Sequence, residues 1–175
     1  MKKNILITGV PGVGKTTLIM KIVEAMEGVG TVGFYTDEIR ERGIRTGFSL
    51  TSITGGRSIL SHVNTKSRFR VGKYGVDVAG FESFIERISF FDETTGMIVI
   101  DEIGKMECFS AKFTKLVRAL LDLEKLFIAT IALKGEGLIA EVKRRPDVEL
   151  FEITRDNRNY LLQRILDYTS SRPSH

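Results

Sequence analysis

The chain has 175 residues, 42% hydrophobic and 27% charged, with a formal net charge of +4. That length suits one well-buried core and is too short for two comfortable domains, and the composition is that of an ordinary soluble globular protein. Cys108 is the only cysteine, which excludes an intrachain disulfide and a cysteine-rich zinc site.

Lys2 and Lys3 precede an apolar run of only three residues, Ile5, Leu6 and Ile7, too short for a signal-peptide core. No stretch approaches the roughly 18 apolar residues of a membrane span, so a cytoplasmic protein without membrane contact is expected. The run instead reads as a short buried strand. Residues 9–16 follow it directly as Gly-Val-Pro-Gly-Val-Gly-Lys-Thr and fit the pattern Gly-x4-Gly-Lys-Thr. In that pattern a glycine-rich loop turns its backbone N–H groups toward phosphate oxygens at a helix N-terminus. A helical apolar stripe, Leu18, Ile19, Ile22, Val23 and Met26, comes next, completing the strand, loop and helix that a phosphate site requires. A chance match of the octet in a chain this long has odds of about 1% by residue frequency.

The expected nucleotide contacts are therefore Gly9, Val10, Pro11, Gly12, Val13, Gly14, Lys15, Thr16 and Thr17. Gly9, Gly12 and Gly14 are expected where a side chain would strike a phosphate or force a positive φ. Pro11 fixes one φ and lacks a donor. Lys15 offers charge to the β- and γ-phosphates, and the Thr16 hydroxyl is placed to ligand magnesium.

Gly28 and Gly30 break the first helix, and residues 31–35 read as a second strand. From there to about Gly80 the pattern weakens into glycine-punctuated pieces, suggesting short antiparallel strands inserted into a parallel scaffold. Between Asp37 and Gly75 eight basic residues face three acidic ones, a local charge of +5. Such a stretch serves phosphate, a polyanionic partner or simply solvent. Residues 81–91 return to helical periodicity, with Phe81, Phe84, Ile85, Ile88 and Phe91 on one face as core rather than as a base-stacking platform. A strand over 97–100 follows. Ser110 is placed to cap a helix whose stripe is Phe113, Leu116, Val117, Leu120 and Leu121. Then come a strand over 126–131, a short helix over 138–143, a strand over 149–153 and a helix over 157–168. The pattern is α/β, with a mostly parallel central sheet flanked by helices in one domain over 1–169 and a disordered tail over 170–175. Its ligand belongs at the carboxyl ends of the strands.

Met97-Ile-Val-Ile-Asp101-Glu102 is an apolar strand ending in two acids. A carboxylate there is costly to bury unless it meets a cation or strong donors, so Asp101 is assigned to a magnesium shell with Thr16. Glu102 beside it is placed to polarise an attacking water, which suits hydrolysis. Asp101-Glu-Ile-Gly104 also fits the Asp-x-x-Gly of switch GTPases, but residues 130–135 carry no guanine-reading aspartate. Lys105 lies close enough in sequence to reach a γ-phosphate, and Arg158 is a candidate for a base or ribose contact. Arg42, Arg45, Arg68 and Arg70 are candidates for a transition-state arginine, with none singled out.

The loop over 9–17, the block Ile98-Val-Ile-Asp-Glu-Ile-Gly-Lys-Met-Glu107, the phrase Tyr74-Gly-Val-Asp and the segment Thr154-Arg-Asp-Asn-Arg158 resemble the small P-loop nucleoside-triphosphatase family that includes the human cancer-related NTPase. The resemblance covers nearly the whole chain. It implies a RecA-like variant of the P-loop fold, usually monomeric, that slowly hydrolyses ATP, GTP, CTP and UTP with Mg2+. Its nucleotide-binding segments would be residues 9–16 together with Asp101, Glu102, Ile103, Gly104 and Lys105. Two other enzyme readings compete: a kinase moving the γ-phosphate to a small acceptor, and a nucleic-acid-associated ATPase using the basic stretch. The modest total charge and the lack of aromatic and basic alternation disfavour nucleic acid. A nucleotide-dependent switch is the remaining alternative.

Overall fold

A computed structural model describes residues 2–171. In chain order it comprises β1 (Asn4–Thr8), α1 (Lys15–Ala25), β2 (Thr31–Glu41), β3 (Ile44–Ser52), β4 (Arg57–His62), β5 (Arg70–Val71), β6 (Tyr74–Val76), α2 (Val78–Glu86) and β7 (Met97–Ile103). After a 3-10 turn at Glu107–Phe109 come α3 (Ala111–Asp122), β8 (Leu126–Ile131), α4 (Leu138–Lys143), β9 (Val148–Glu152) and α5 (Leu161–Ser170). The strands form one sheet in the order β5-β6-β4-β3-β2-β7-β8-β1-β9. From β2 to β9 every pairing is parallel, whereas β2 to β5 pair antiparallel. The expected antiparallel insertion is thus an extension of the parallel sheet past β2.

Both faces are covered, as the continuous apolar runs of β1, β7 and β8 require. Ile5, Ile7, Met97 and Val99 pack with Leu18, Ile19 and Ile22 of α1 and Ile165 of α5. Leu6, Ile98, Ile100 and Phe127 face the other way, toward α2, α3 and α4. On that side Phe34 lies edge-on to Phe81 and Phe84, with centroids 6.0 and 5.8 Å away, and Phe113 is 5.2 Å from Phe81. Ser110 caps α3 as expected, its Oγ accepting from the Phe113 amide at 3.0 Å.

The boundaries differ from the sequence expectation in three instructive places. β2 runs on to Glu41 rather than stopping near Tyr35. Its pairing with β7 ends at Phe34 and Ile100, but its pairing with β3 continues to Glu41 and Ile44. The β2–β3 hairpin therefore overhangs the carboxyl edge of the sheet, closed by Arg42 and Gly43, both at positive φ (50° and 80°) as a two-residue turn demands. The overhang carries only Ile39 and Ile44 among the charged and polar residues of its tip, so no sustained apolar alternation announces it. Secondly, α2 ends at Glu86 rather than near Phe91, so helical spacing no longer applies beyond it, and Phe90 is buried while Phe91 is 56% exposed. Thirdly, α5 starts at Leu161, because the Asn157 side chain accepts from the Thr154 amide at 2.8 Å and donates to the Glu152 carbonyl at 2.8 Å, holding a turn where a helix was expected. Of the expected tail, Ser170 closes α5 and residues 172–175 lie outside the described ones.

Gly33 lies where the parallel half meets the extension. Its φ is 134°, and a Cβ there would come within 1.8 Å of the Val99 carbonyl oxygen. Gly33→Ala is expected to cost more than about 2 kcal/mol through combined strain and backbone clash. Urea unfolding checks this, with a lowered midpoint as the expected result and an unchanged one against it.

Candidate active site

At the carboxyl end of the sheet, a cleft of about 560 Å3 runs from the loop after β1 to the overhanging β2–β3 hairpin. Pro11, Gly12, Gly14, Lys15, Thr16 and Thr17 line one side. Gly12 (φ 76°) and Gly14 (φ 112°) occupy backbone conformations open to glycine, so the loop turns sharply into α1. Gly9 serves differently from expectation: a Cβ there would lie 2.6 Å from the Ile153 carbonyl oxygen, so its smallness lets the loop pass β9. Gly14 is the N-cap of α1 and makes no side-chain cap, which leaves the first-turn amides available to an anion. Val13 is buried in the core, whereas Val10 is 52% exposed. The Lys15 ammonium is held over the loop by the carbonyls of Gly9 (2.9 Å) and Val10 (3.2 Å).

Asp101 closes the site from β7. Its carboxylate is 3% exposed, a costly position that three threonines make tolerable. Thr16 donates its hydroxyl to Oδ2 at 2.6 Å, the Thr36 amide donates to the same oxygen at 3.3 Å, and Thr130 donates its hydroxyl to Oδ1. Thr36 also donates its hydroxyl to the Asp101 carbonyl. Burial raises the Asp101 pKa, while the Thr130, Thr16 and Thr36 hydrogen bonds and the Lys15 charge pull it back.

A bulge aims the neighbouring residues. Ile100 pairs with Ala129 but Ile103 pairs with Ile131, so β7 takes three steps where β8 takes two. The extra residue returns Ile103 to the same core face as Ile98 and Ile100, whereas strict alternation would have turned it to the α1 side. Ile103 is therefore core rather than cleft lining, while Glu102 is freed to face the cleft beside Asp101.

Glu102 has a carboxylate neighbour that sequence reasoning did not assign. A Cβ on Gly104 would lie 2.8 Å from both Glu102 Oε1 and Glu107 Oε2, so the two acids crowd around that glycine. Gly104 is buried for this reason. Glu107 is 4% exposed; burial first, and then the Glu102 charge, hold its pKa well above the ordinary carboxylate range. Burial and the Asp101 charge raise Glu102 in the same direction, against the pull of Lys15.

Lys105 is exposed on the cleft wall. Arg158 is not brought there: it is exposed in the turn before α5, its amide donating to the Thr154 carbonyl at 3.1 Å. Of the four candidate arginines only Arg45 lines the cleft, with Glu38 and Phe48 beside it. Arg42 sits in the hairpin turn, Arg68 stacks on Phe69 at 4.8 Å, and Arg70 donates to the Lys73 carbonyl on the edge strand. Thr36, Thr130 and Glu107 were missed. The available signal for Thr130 is one polar residue within an otherwise apolar buried strand.

The Thr16 hydroxyl and Asp101 carboxylate form a hard-oxygen pair at hydrogen-bond distance, the small protein contribution that magnesium takes when phosphates and waters complete its octahedron. Among the described residues, no group of three or more His, Cys, Asp or Glu side chains is arranged to hold a metal. No helix among them is long and apolar enough to cross a membrane.

Glu107 makes folding pH-dependent. Its folded pKa lies above the unfolded value of about 4.3, so its contribution is fully present below that pH and is lost as pH rises through the folded pKa. Ligand-free wild type is therefore expected to be less stable at about pH 8 than at about pH 5, both above the unfolded pKa of about 4.3. Glu107→Gln is expected to flatten that loss, which urea midpoints at the two pH values measure; an equal decline in both proteins removes the assignment.

Comparison with known proteins agrees with this geometry. The NTPase family model matches residues 4–166. The nucleoside-triphosphatase THEP1 of Thermotoga maritima is 42% identical, with 93% of each chain covered. The human cancer-related nucleoside-triphosphatase is 40% identical, with 98% of each covered. Among solved structures, the crystal structure of THEP1 from the hyperthermophile Aquifex aeolicus superposes with a TM-score of 0.82 at 40% identity, covering 94% of this chain and 98% of that one. The solution structure of the human protein gives 0.81 at 39% identity, covering 98% and 100%. A family match over nearly the whole chain, together with the P-loop fold of these structures, places the protein in the NTPase family.

Proposed function

We propose that the protein is a magnesium-dependent nucleoside triphosphatase that converts ATP, GTP, CTP and UTP to the diphosphate and phosphate. The observation that carries this reading is the 2.6 Å hydrogen bond between Thr16 and Asp101, which joins the phosphate loop to the acidic strand tip. It rests also on family membership and on the relatives' names.

The loop amides and the N-terminus of α1 bind the β-phosphate, and Lys15 exchanges its carbonyl partners for phosphate oxygens. Thr16 and Asp101 would hold magnesium, which would supply positive charge to offset that of the triphosphate. Glu102 orients the water in line with the bond to be broken and accepts its proton, and the raised pKa that burial gives it makes it a stronger base for that role. Catalysis by this set is positioning plus electrostatics. Base tolerance belongs to the reading, in line with the relatives' general description as nucleoside-triphosphatases. Slow turnover, a monomeric state, a cytoplasmic location and one catalytic unit over 1–169 complete the reading.

Phosphate release from each of the four triphosphates, with and without magnesium, tests it. Wild type is expected to hydrolyse all four only with the metal. Glu102→Gln is expected to lower kcat by about 10²- to 10⁴-fold while triphosphate binding persists. Phosphate loss that requires an added hydroxyl compound would make the reaction transfer rather than hydrolysis. In the same assay Asp101→Asn is expected to weaken magnesium activation, raising the metal concentration needed for half-maximal rate by about tenfold or more.

A further inference from the structure

The hydrolytic set of Lys15, Thr16, Asp101 and Glu102 leaves Arg45, on the opposite wall of the cleft, without a role. Arg45 stands at the start of β3 on the overhanging hairpin and lines the same cleft as the phosphate loop and the acids. The phosphate loop follows β1, the metal-side acids cap β7, and β2 and β3 lie beyond them. A γ-phosphate bound between Lys15 and Asp101 therefore has the loop on its leaving-group side and the hairpin wall on the side of Glu102 and the water.

The guanidinium is fixed in place from three directions. Its Nε donates to the Tyr74 hydroxyl at 2.9 Å, and one Nη1 proton goes to Glu38 Oε1 at 2.9 Å. The plane lies over Phe48, 5.1 Å from the ring centroid, and 5.7 Å from that of Tyr74. A guanidinium has five N–H donors, so the second Nη1 proton and both Nη2 protons are left for a ligand. Glu38 does not cancel the charge, because its other oxygen, Oε2, pairs with Arg40 at 2.6 Å. The Arg40–Glu38–Arg45 group thus carries one net positive charge. Lys105, the other cation of the wall, is exposed as Arg45 is, but a flexible ammonium loses more freedom on engaging phosphate than a stacked, bonded guanidinium.

Resting on the hydrolase reading above, we propose that Arg45 is a catalytic residue supplied by the protein's own hairpin, donating from its free guanidinium edge to the γ-phosphoryl oxygens as the bond to the β-phosphate breaks. Charge spreads over those oxygens in the transition state, and a donor already oriented there costs no reorganisation when the charge develops. Tyr74 and Glu38 are positioning residues, acting only through Arg45. The glycine-rich, weakly patterned insertion thereby has a purpose: it brings an arginine across the phosphate cradle that no partner protein need provide.

Single-turnover hydrolysis of ATP with magnesium separates this role from a structural one. Arg45→Ala is expected to lower the rate by about 10³-fold, and Arg45→Lys to recover little of it, because the fork of donors is lost. The affinity for ATP is expected to change by less than about threefold, since the contact belongs to the transition state. Tyr74→Phe is expected to give an intermediate loss, and Arg57→Ala, exposed on the same extension, none. The discriminating readout is trapping of the magnesium–ADP–aluminium fluoride complex. Wild type is expected to form it and Arg45→Ala to bind ADP normally without forming it, with added guanidinium restoring part of the rate. An Arg45→Ala rate within about threefold of wild type, or ADP affinity and thermal midpoint falling together with the rate, overturns the proposal. Failure of the underlying reading looks different: wild type would then release no phosphate, or Glu102→Gln would keep the full rate.

Discussion

A buried carboxylate at the tip of an interior strand is the constraint around which the site is arranged. Asp101 would be intolerable at 3% exposure if it stood in an apolar setting. Three chain segments solve the problem together: Thr16 from the start of α1, Thr130 from β8 and Thr36 from β2. Each must be in register for the others to be satisfied. The phosphate loop, the acidic tip and the first residues of the overhanging hairpin are thereby fixed relative to one another by a set of hydrogen bonds to a single side chain. Such an arrangement holds ligands for a divalent cation at a defined separation without a dedicated metal cage.

Around that anchor, the fold places two opposing fields. Lys15, the α1 N-terminus, Lys105 and Arg45 present positive potential to the cleft, while Asp101, Glu102 and Glu107 gather negative charge at its floor. Burial raises all three pKa values, and repulsion between the carboxylates adds to the rise at Glu102 and Glu107. Burial and the Glu102 charge both shift Glu107 toward its protonated form, which eases the repulsion among three carboxyl groups in one place. Glycine at 104 is what allows the crowding, since any larger residue would strike both glutamates.

The antiparallel extension changes the character of an otherwise doubly covered parallel sheet. Gly33 lets β2 lie against β7 at close range, and from Phe34 onward the strand leaves the parallel half and carries the hairpin over the carboxyl edge. The cleft therefore has a wall of strand residues where a plain parallel sheet has loops. Strand backbone holds Arg45, Phe48 and Glu38 more rigidly than a loop would, which matters for any group whose value lies in its orientation.

The chain alone was enough to reveal the phosphate loop, the acidic strand, the α/β class and the core faces of α1, α3 and β8. These are local signals: a contiguous octet, an apolar run closed by two acids, and hydrophobic spacing along single elements. Helix ends at Glu86 and Leu161 were less legible, because turn hydrogen bonds from Asn157 and the early close of α2 compete with a continuing helical pattern. What only the folded chain decided was partnership across distance. That Thr130 and Thr36 satisfy Asp101, that Glu107 meets Glu102 around Gly104, that Ile103 turns back into the core, and that Arg45 rather than Arg42, Arg68 or Arg70 reaches the cleft all follow from strand order, a bulge and an overhanging register. Residue spacing along a chain encodes which face of its own element a side chain takes, but the neighbour it meets there is set by how separate elements pair, and that pairing has no local signature.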